Sequence, residues 1–391
     1  MAAISTAGFA TARTTPECLR TSFLLDDNLV FLNHGSFGAC PRPVWNAHSA
    51  WQRQLERQPV EFFRRHNALL ASARTSLAAH VNVQPDDLSF VVNATSGINV
   101  IARSFPLAPG DEILGTDLEY GALDLTWDHL CQRFGARYVK ANVPRPFTTQ
   151  DAIVDAIWSQ VTERTKAIFL SHITSGSAII LPVAEICRRA REAGILTIVD
   201  GAHAPGQVPL DLTALGADIY SGNCHKWLCT PKGSAFLYVH PDHHEWIESL
   251  TIGWGWKPGH TFLSRNQQQG TRDISGFLAV PRAIEFQREH DWVAVRAACH
   301  DRLTAFRQRM RDRFGIAPLN PDGNEWYSQM ALVEVPPIDP AELRQRLMME
   351  HDIEIPCMRH GETTCVRLSV QGYVTDADLD ALACALDTIF A

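Results

Sequence analysis

Residues 218–233, DIYSGNCHKWLCTPKG, place a lysine where one seldom sits. Lys226 follows a β-like run and precedes a Pro-Lys-Gly turn, bracketed by Cys224, His225, Trp227, Leu228 and Cys229. Those residue types usually go inside, where an ammonium is costly unless it is paired or does chemistry. The run before it, ADIYSG, is one of seven short apolar runs from about residue 88 onward, with LSFVV, DEILG, RYVKANV, KAIFLSHI, ILTIVD and SAFLYV. Helical stretches such as LDLTWDHLCQRFG, DAIVDAIWSQV and VAEICRRAREAG alternate with them. Strand, helix, strand alternation predicts an α/β fold, a mostly parallel seven-stranded sheet between helices.

The flanks follow other patterns. Residues 41–80 carry apolar residues at helical spacing, interrupted near Pro59, and predict two or three helices. Beyond about residue 280, AVPRAIEFQREHDWVAVRAACHDRLTAFRQRMRDRF reads as one long helical region. SQMALVEVP then reads as a strand, PAELRQRLMMEHD as a helix, TCVRLSV as a strand and TDADLDALACALDTIF as a closing helix capped by Thr375. The expected division is an N-terminal arm over 1–40, a large domain over 41–280 and a small α+β domain over 281–391.

Composition removes several function classes. Thirty-five basic residues against 43 acidic ones leave a net charge of −8, and no stretch gathers Lys or Arg densely enough to hold a nucleic-acid backbone. The longest apolar runs fall far short of the ~20 residues that span a bilayer. The start, MAAISTAGFATARTTPECLR, shows no basic region followed by an apolar one, so the cytoplasm is expected. Ten cysteines at 18, 40, 131, 187, 224, 229, 299, 357, 365 and 384 form no CxxC pair and read as reduced thiols. His240, His243 and His244 in HPDHH follow a strand in a Pro-Asp turn and read as a solvated loop, so no metal site is expected.

In an open parallel sheet, ligands gather beyond the carboxyl ends of the strands. LSFVV leads into Asn93-Ala94-Thr95-Ser96-Gly97 and a helix start, which serves either as a phosphate cradle or as a plain N-cap. ILTIVD ends at Asp200, with His203 close behind, and KAIFLSHI is followed by Thr174 and Ser175. ADIYSG brings Ser221, then His225 and Lys226. A cradle, a carboxylate, an imidazole and an apolar-flanked lysine on one sheet edge suit pyridoxal 5'-phosphate. That cofactor needs a lysine for its Schiff base, an anion site, an acid facing its ring nitrogen and a flat partner for its ring. Asp200 suits the ring nitrogen, and Tyr120 or His203 suits the flat face.

At this point the chain resembles the class V aminotransferase family of pyridoxal-phosphate enzymes with the aspartate aminotransferase-like (type I) fold, in its isopenicillin N epimerase-like branch. FLNHGSFG (31–38), NATSGIN (93–99), LEYGA (118–122), VDGAHAPG (199–206), SGNCHKW (221–227), QGTRD (269–273) and CVRLS (365–369) carry the resemblance, in order, over most of the chain. It implies Lys226 as the Schiff-base lysine and Asp200 as the partner of the ring nitrogen. It implies Ala94, Thr95, Ser221 and His225 as phosphate ligands, beside Ser96 in the same turn. Tyr120 takes the place of the stacking residue, and His203 lies near the ring oxygen. Gly270 and Thr271 match a segment that reaches the neighbouring subunit's phosphate, implying a homodimer with shared sites. Arg367 matches the arginine that grips the substrate carboxylate. Asn33, His34 and Gly35 are expected at the mouth of the substrate site, with Thr174 facing the ligand.

Such enzymes break a bond at Cα of an amino acid or amino-acid-like substrate, and freed Lys226 is placed to act as the base. Return of the proton to the opposite face gives epimerisation, its delivery to the cofactor gives transamination, and loss of a β-substituent gives a C–S lyase. Desulfurases of this class carry a persulfide cysteine on a mobile loop well ahead of the carboxylate-binding arginine. Here Cys365 lies two residues before Arg367, and Cys357 follows Pro356 without a Gly-rich loop. An epimerase-like enzyme is therefore the leading expectation, with aminotransferase and C–S lyase as alternatives. A nucleotide-binding oxidoreductase is disfavoured, because no G-x-G-x-x-G follows LSFVV or any other run.

Overall fold

The structure, a computed structural model, describes residues 14–391; residues 1–13 of the expected arm, most of the segment read for a leader, lie outside the described residues. After a two-residue strand β1 (Val30–Phe31), the seven apolar runs become β2 (Leu88–Val91), β3 (Glu112–Thr116), β4 (Arg137–Ala141), β5 (Thr165–Ser171), β6 (Leu196–Asp200), β7 (Ile219–Asn223) and β8 (Ala235–Val239). They form one sheet in the order β2-β8-β7-β6-β5-β3-β4, in which β8 alone runs against the rest. The expected mostly parallel seven-stranded sheet is present. The carboxyl ends of β2, β5, β6 and β7 therefore share one edge.

Both faces of the sheet are covered, which explains why its strands read as unbroken apolar runs. Alternate side chains enter two separate cores. Ile113, Phe169, Ile198, Ile219 and Leu237 pack on one face with Trp127, whereas Leu114, Leu170, Val199, Tyr220 and Phe236 pack on the other. Burying each such side chain contributes roughly 1.5–3 kcal/mol. The edge strand β4 is only partly covered.

Residues 41–80 form three helices, Arg42–Arg57, Pro59–Arg64 and His66–Val81. The C-terminal part adds β9 (Met330–Val335), β10 (Ile353–Glu354), β11 (Cys357–His360) and β12 (Thr363–Ser369). Three of these make an antiparallel sheet in the order β11-β12-β9, and β10 pairs in parallel with β1. The segment before residue 40 is thereby fastened to the C-terminal part. The closing helix, Asp376–Ile389, starts at a Thr375–Asp378 capping box.

One expectation is corrected. The long helical region breaks into Val280–Glu289 and Trp292–Phe314, because Asp291 adopts a left-handed conformation (φ 47°) and its carboxylate caps the second helix at the Ala294 N–H. Aspartate visits that conformation more readily than most residues, since its short side chain bonds locally. Val280–Glu289 then packs on Arg42–Arg57 and His66–Val81. Among the described residues, no helix is long and apolar enough to cross a membrane, no cluster of His, Cys, Asp and Glu is built for a metal, and all ten cysteines are free.

Candidate active site

The carboxyl ends of β2, β5, β6 and β7 open onto a cavity of about 450 Å3, bounded also by the 35–37 turn and by Arg367 of β12. Lys226 stands in the turn after β7, whose backbone is gripped by two other motifs. At Gly38 (φ 72°) an added Cβ would lie 2.1 Å from the His225 carbonyl oxygen, and at Gly206 (φ 88°) it would lie 2.3 Å from that of Trp227. Only glycine allows both the left-handed turn and the approach. The last residues of FLNHGSFG and VDGAHAPG thus serve to set the lysine turn. His34 adds a ring-nitrogen contact to the Lys226 carbonyl at 3.0 Å.

Each titratable group here is shifted by its surroundings. Burial pulls the Lys226 amine down to about 8, against the opposing pull of Asp200, while Arg367 adds to the lowering. Its Nζ lies 3.0 Å from Nε2 of His203. Burial pushes Asp200 up to about 6, although the Ala202 N–H at 3.0 Å and Lys226 favour its charged form. At neutral pH it is ionised. His203 is held well below its usual range, first by burial and then by Lys226, Arg367 and His34. Burial brings His225 down to about 4, and its Nδ1 lies 2.9 Å from the Ser234 carbonyl. With that nitrogen as donor, His225 offers an anion a second donor only when protonated. Arg367, 5% exposed, gives Nη1–H to the Ser175 carbonyl at 2.5 Å and Nη2–H to Ser36 Oγ at 2.9 Å. Its Nε is buried without a partner among the described residues. Burial lowers this guanidinium to about 10.

One end of the cavity is built from the helix Ala94–Ser104. Asn93 caps it by accepting the Ser96 N–H at 2.7 Å, and the Ala94 N–H is taken by Asn223 Oδ1 at 2.8 Å. The Thr95 N–H has no acceptor among the described residues and lines the cavity. Gly97 lets this helix sit against β7, since a Cβ there would lie 2.2 Å from Ser221 Oγ.

Of the expected site residues, Gly35, Ala94, Thr95, Tyr120, Asp200, His203, His225, Lys226 and Arg367 line this one cavity. Others do not. Ser221 is fully buried and donates to the Phe236 carbonyl at 2.9 Å, so the antiparallel neighbour β8 takes its hydroxyl. Thr174 is tied to Ser177 at 2.7 Å, and it is Ser175 that faces in. Asn33 binds Glu354 and Ser36, His34 binds Tyr373, and Ser96 lies beyond the wall. Gly270 and Thr271 are exposed and outside the cavity.

The sequence reading missed Asn223, Ser36 and Glu119, although each stands in a quoted motif. Glu119 lies behind Ser171 of the cavity wall and accepts from its N–H and Oγ–H, both at 2.7 Å. Burial, helped by Asp200, pushes it up to about 8.

The donor set fits pyridoxal phosphate. The cavity offers an amine depressed toward neutrality, an under-bonded carboxylate, a free helix N–H and an unpartnered guanidinium nitrogen. The aminotransferase class-V family model matches residues 45–382. Isopenicillin N epimerase of Streptomyces clavuligerus is 35% identical over 389 residues, covering 95% of this chain and 98% of that protein. Putative L-cysteine desulfhydrase 1 of Oryza sativa subsp. japonica is 28% identical over 415 residues, covering 92% and 83%. The fold is shared with a solved cysteine desulfurase of Thermococcus onnurineus, with a TM-score of 0.83 at 18% identity over 97% and 98% of the two chains. With that family match and a matching cavity, the chain belongs to the class-V aminotransferase family of pyridoxal-phosphate enzymes.

Proposed function

We propose that the chain is an epimerase acting at Cα of an amino acid or amino-acid-like substrate, as the name of the Streptomyces relative suggests. The observation that carries this is the meeting of Lys226, with its amine near neutrality, and Arg367, with a free buried nitrogen, in one cavity that no cysteine lines. Bound pyridoxal phosphate supplies an electron sink for charge developing at Cα. The chain does the rest. Arg367 would hold the substrate carboxylate, Lys226 Nζ would take the Cα proton from one face, a proton exchanged from solvent would return to the other, and Asp200 would keep the ring nitrogen protonated.

The Thr95 N–H would hold the phosphate, with Asn223, which takes the Ala94 N–H, and His225 lining that end of the cavity, and Ser96 and Ser221 supporting the wall from behind. Tyr120 would serve the ring face and His203 the ring oxygen. Gly35 and Ser36 edge the carboxylate site, with Asn33, His34 and Thr174 bracing it. Gly270 and Thr271 reach a second copy in a cytoplasmic homodimer. The exposed apolar side chains of Phe37 (71%), Ile252 (80%) and Trp254 (75%) suit such a partner. The divisions at residues 40 and 280 belong to the same proposal.

A desulfurase working through a protein persulfide is poorly supported. Cys365 is buried in β12, and burial pushes the half-buried Cys357 up to about 12, far from a reactive thiolate. A C–S lyase that releases its product directly remains the second reading, since it needs no cysteine. Proton NMR in deuterated water, with holoenzyme and a panel of L-amino acids, aminoadipyl amines and sulfur-containing amines, separates them. Deuterium entering Cα with D-isomer and no keto acid is expected. Pyruvate with a released thiol, or keto acid alone, moves the activity to a lyase or an aminotransferase.

A further inference from the structure

Two consecutive residues grip the two nitrogens of one imidazole. Trp227 Nε1 lies 3.4 Å from His203 Nδ1, and Lys226 Nζ lies 3.0 Å from His203 Nε2. We propose that Trp227 is a positioning residue whose indole N–H locks His203 in its Nε2–H tautomer and so favours the free amine of Lys226 over the ammonium. This rests on the assignment of Lys226 as the reacting amine.

Donor and acceptor chemistry carries the step. An indole nitrogen can only donate, so Nδ1 must offer a lone pair. A neutral imidazole has one donor and one acceptor nitrogen, which puts the proton on Nε2. That N–H then points at Nζ. An ammonium has three donors and no acceptor, so two donors would face each other, whereas the free amine has the lone pair the contact needs.

The grip has little room to relax. Trp227 is fully buried, its carbonyl accepts from Gln287 Nε2 at 2.8 Å, and its ring lies 4.9 Å from that of His34. His203 is 2% exposed, with its carbonyl bound to Gln207 Nε2 at 2.8 Å. Of the other titratable groups facing the pair, Asp200 favours the ammonium, Arg367 opposes it, and His34 and His225 are kept neutral by burial. The tautomer lock adds a directional preference to this balance. A lysine held as the amine is ready both to attack a carbonyl and to take a proton.

The test uses the full-length protein with 15N-labelled histidine, as holoenzyme and after cofactor removal. His203 cross-peaks are assigned by their loss in His203→Asn. An unprotonated Nδ1 with a protonated Nε2 is expected around neutral pH, and a proton on Nδ1 overturns the proposal. In Trp227→Phe the lock is gone and Nε2 can accept from an ammonium. The pH midpoint for capture of added pyridoxal phosphate, read by visible absorption, should then rise by about one unit, a tenfold change in the amine's protonation constant. An unmoved midpoint in a folded variant also overturns the proposal. Should that variant not fold, the wild-type tautomer decides alone. Failure of the wild-type chain to capture the cofactor would sink the assignment of Lys226, while the histidine spectrum would still decide the tautomer.

Discussion

Asp200 closes β6 at its carboxyl end, and Asp218 stands just before β7 at the amino end of the neighbouring strand; the two are perturbed in opposite directions. Asp218 accepts from Thr197 N–H at 2.8 Å and Oγ–H at 2.7 Å, with His243 3.7 Å away. Burial pushes its pKa up, but the bonds from His243 and Thr197 outweigh this and hold it below the usual carboxylate range. Asp200 receives one backbone N–H, and burial wins, lifting it to about 6. At the amino end the protein satisfies its own carboxylate. At the carboxyl end it leaves one short of partners, beside a depressed lysine and an unpartnered guanidinium nitrogen, which is what a site awaiting a charged ligand requires.

The same contrast separates the histidines. His240, His243 and His244 sit 3.5–3.7 Å from Asp242, Asp218 and Asp87, outside the cavity, each beside a carboxylate of the protein itself. His203 and His225 are kept neutral by burial at the cavity.

Substitutions can break or sharpen this comparison. The largest effect is expected for Lys226→Ala, which should abolish the visible band of the lysine-bound cofactor and lower turnover by about a thousandfold to ten-thousandfold, the upper range for a proton-transfer group. Asp200→Asn should cost about a hundredfold in turnover by removing the partner of the ring nitrogen. In the cofactor-free protein the same change should stabilise. A raised folded pKa means the ionised carboxylate weakens the fold as pH climbs through about 6, so at neutral pH melting should report a gain in stability that fades toward pH 4.

Arg367→Ala should raise KM by roughly 10- to 150-fold with the absorption band intact, reflecting a charge-assisted bond of about 1.5–3 kcal/mol. The smallest effect belongs to the other end. Asp218→Asn should cost about 1 kcal/mol at neutral pH with activity unchanged. A lowered folded pKa contributes stability above the unfolded value near 3.8 and loses it as pH falls through the folded one, so this deficit should shrink in acid. If both aspartates shifted stability in the same direction at neutral pH, the distinction between the two ends would fail.

Much of this was legible because its causes are local. Each buried strand is a short apolar run, and Asp200 and Lys226 follow two of them within a few residues. The Thr375 cap was equally local. What escaped depends on neighbours distant in sequence. Ser221 reads as a strand-end hydroxyl, but β8 supplies the Phe236 carbonyl that captures it. Thr174 and Ser175 are adjacent hydroxyls, and the Thr174–Ser177 turn decides which one faces in. Asn223 matters because it meets Ala94 N–H from 129 residues away. The break at Asp291 is a conformational choice that helical periodicity overruns.

The most direct measurement is borohydride reduction of the cofactor-loaded enzyme followed by peptide mass mapping. The cofactor mass should appear on Lys226 and be absent from Lys140, Lys166, Lys232 and Lys257. A label on Lys232, whose ammonium instead donates to the Gly38 carbonyl at 2.7 Å, or no label on any lysine, would contradict the assignment of this cavity as the catalytic site.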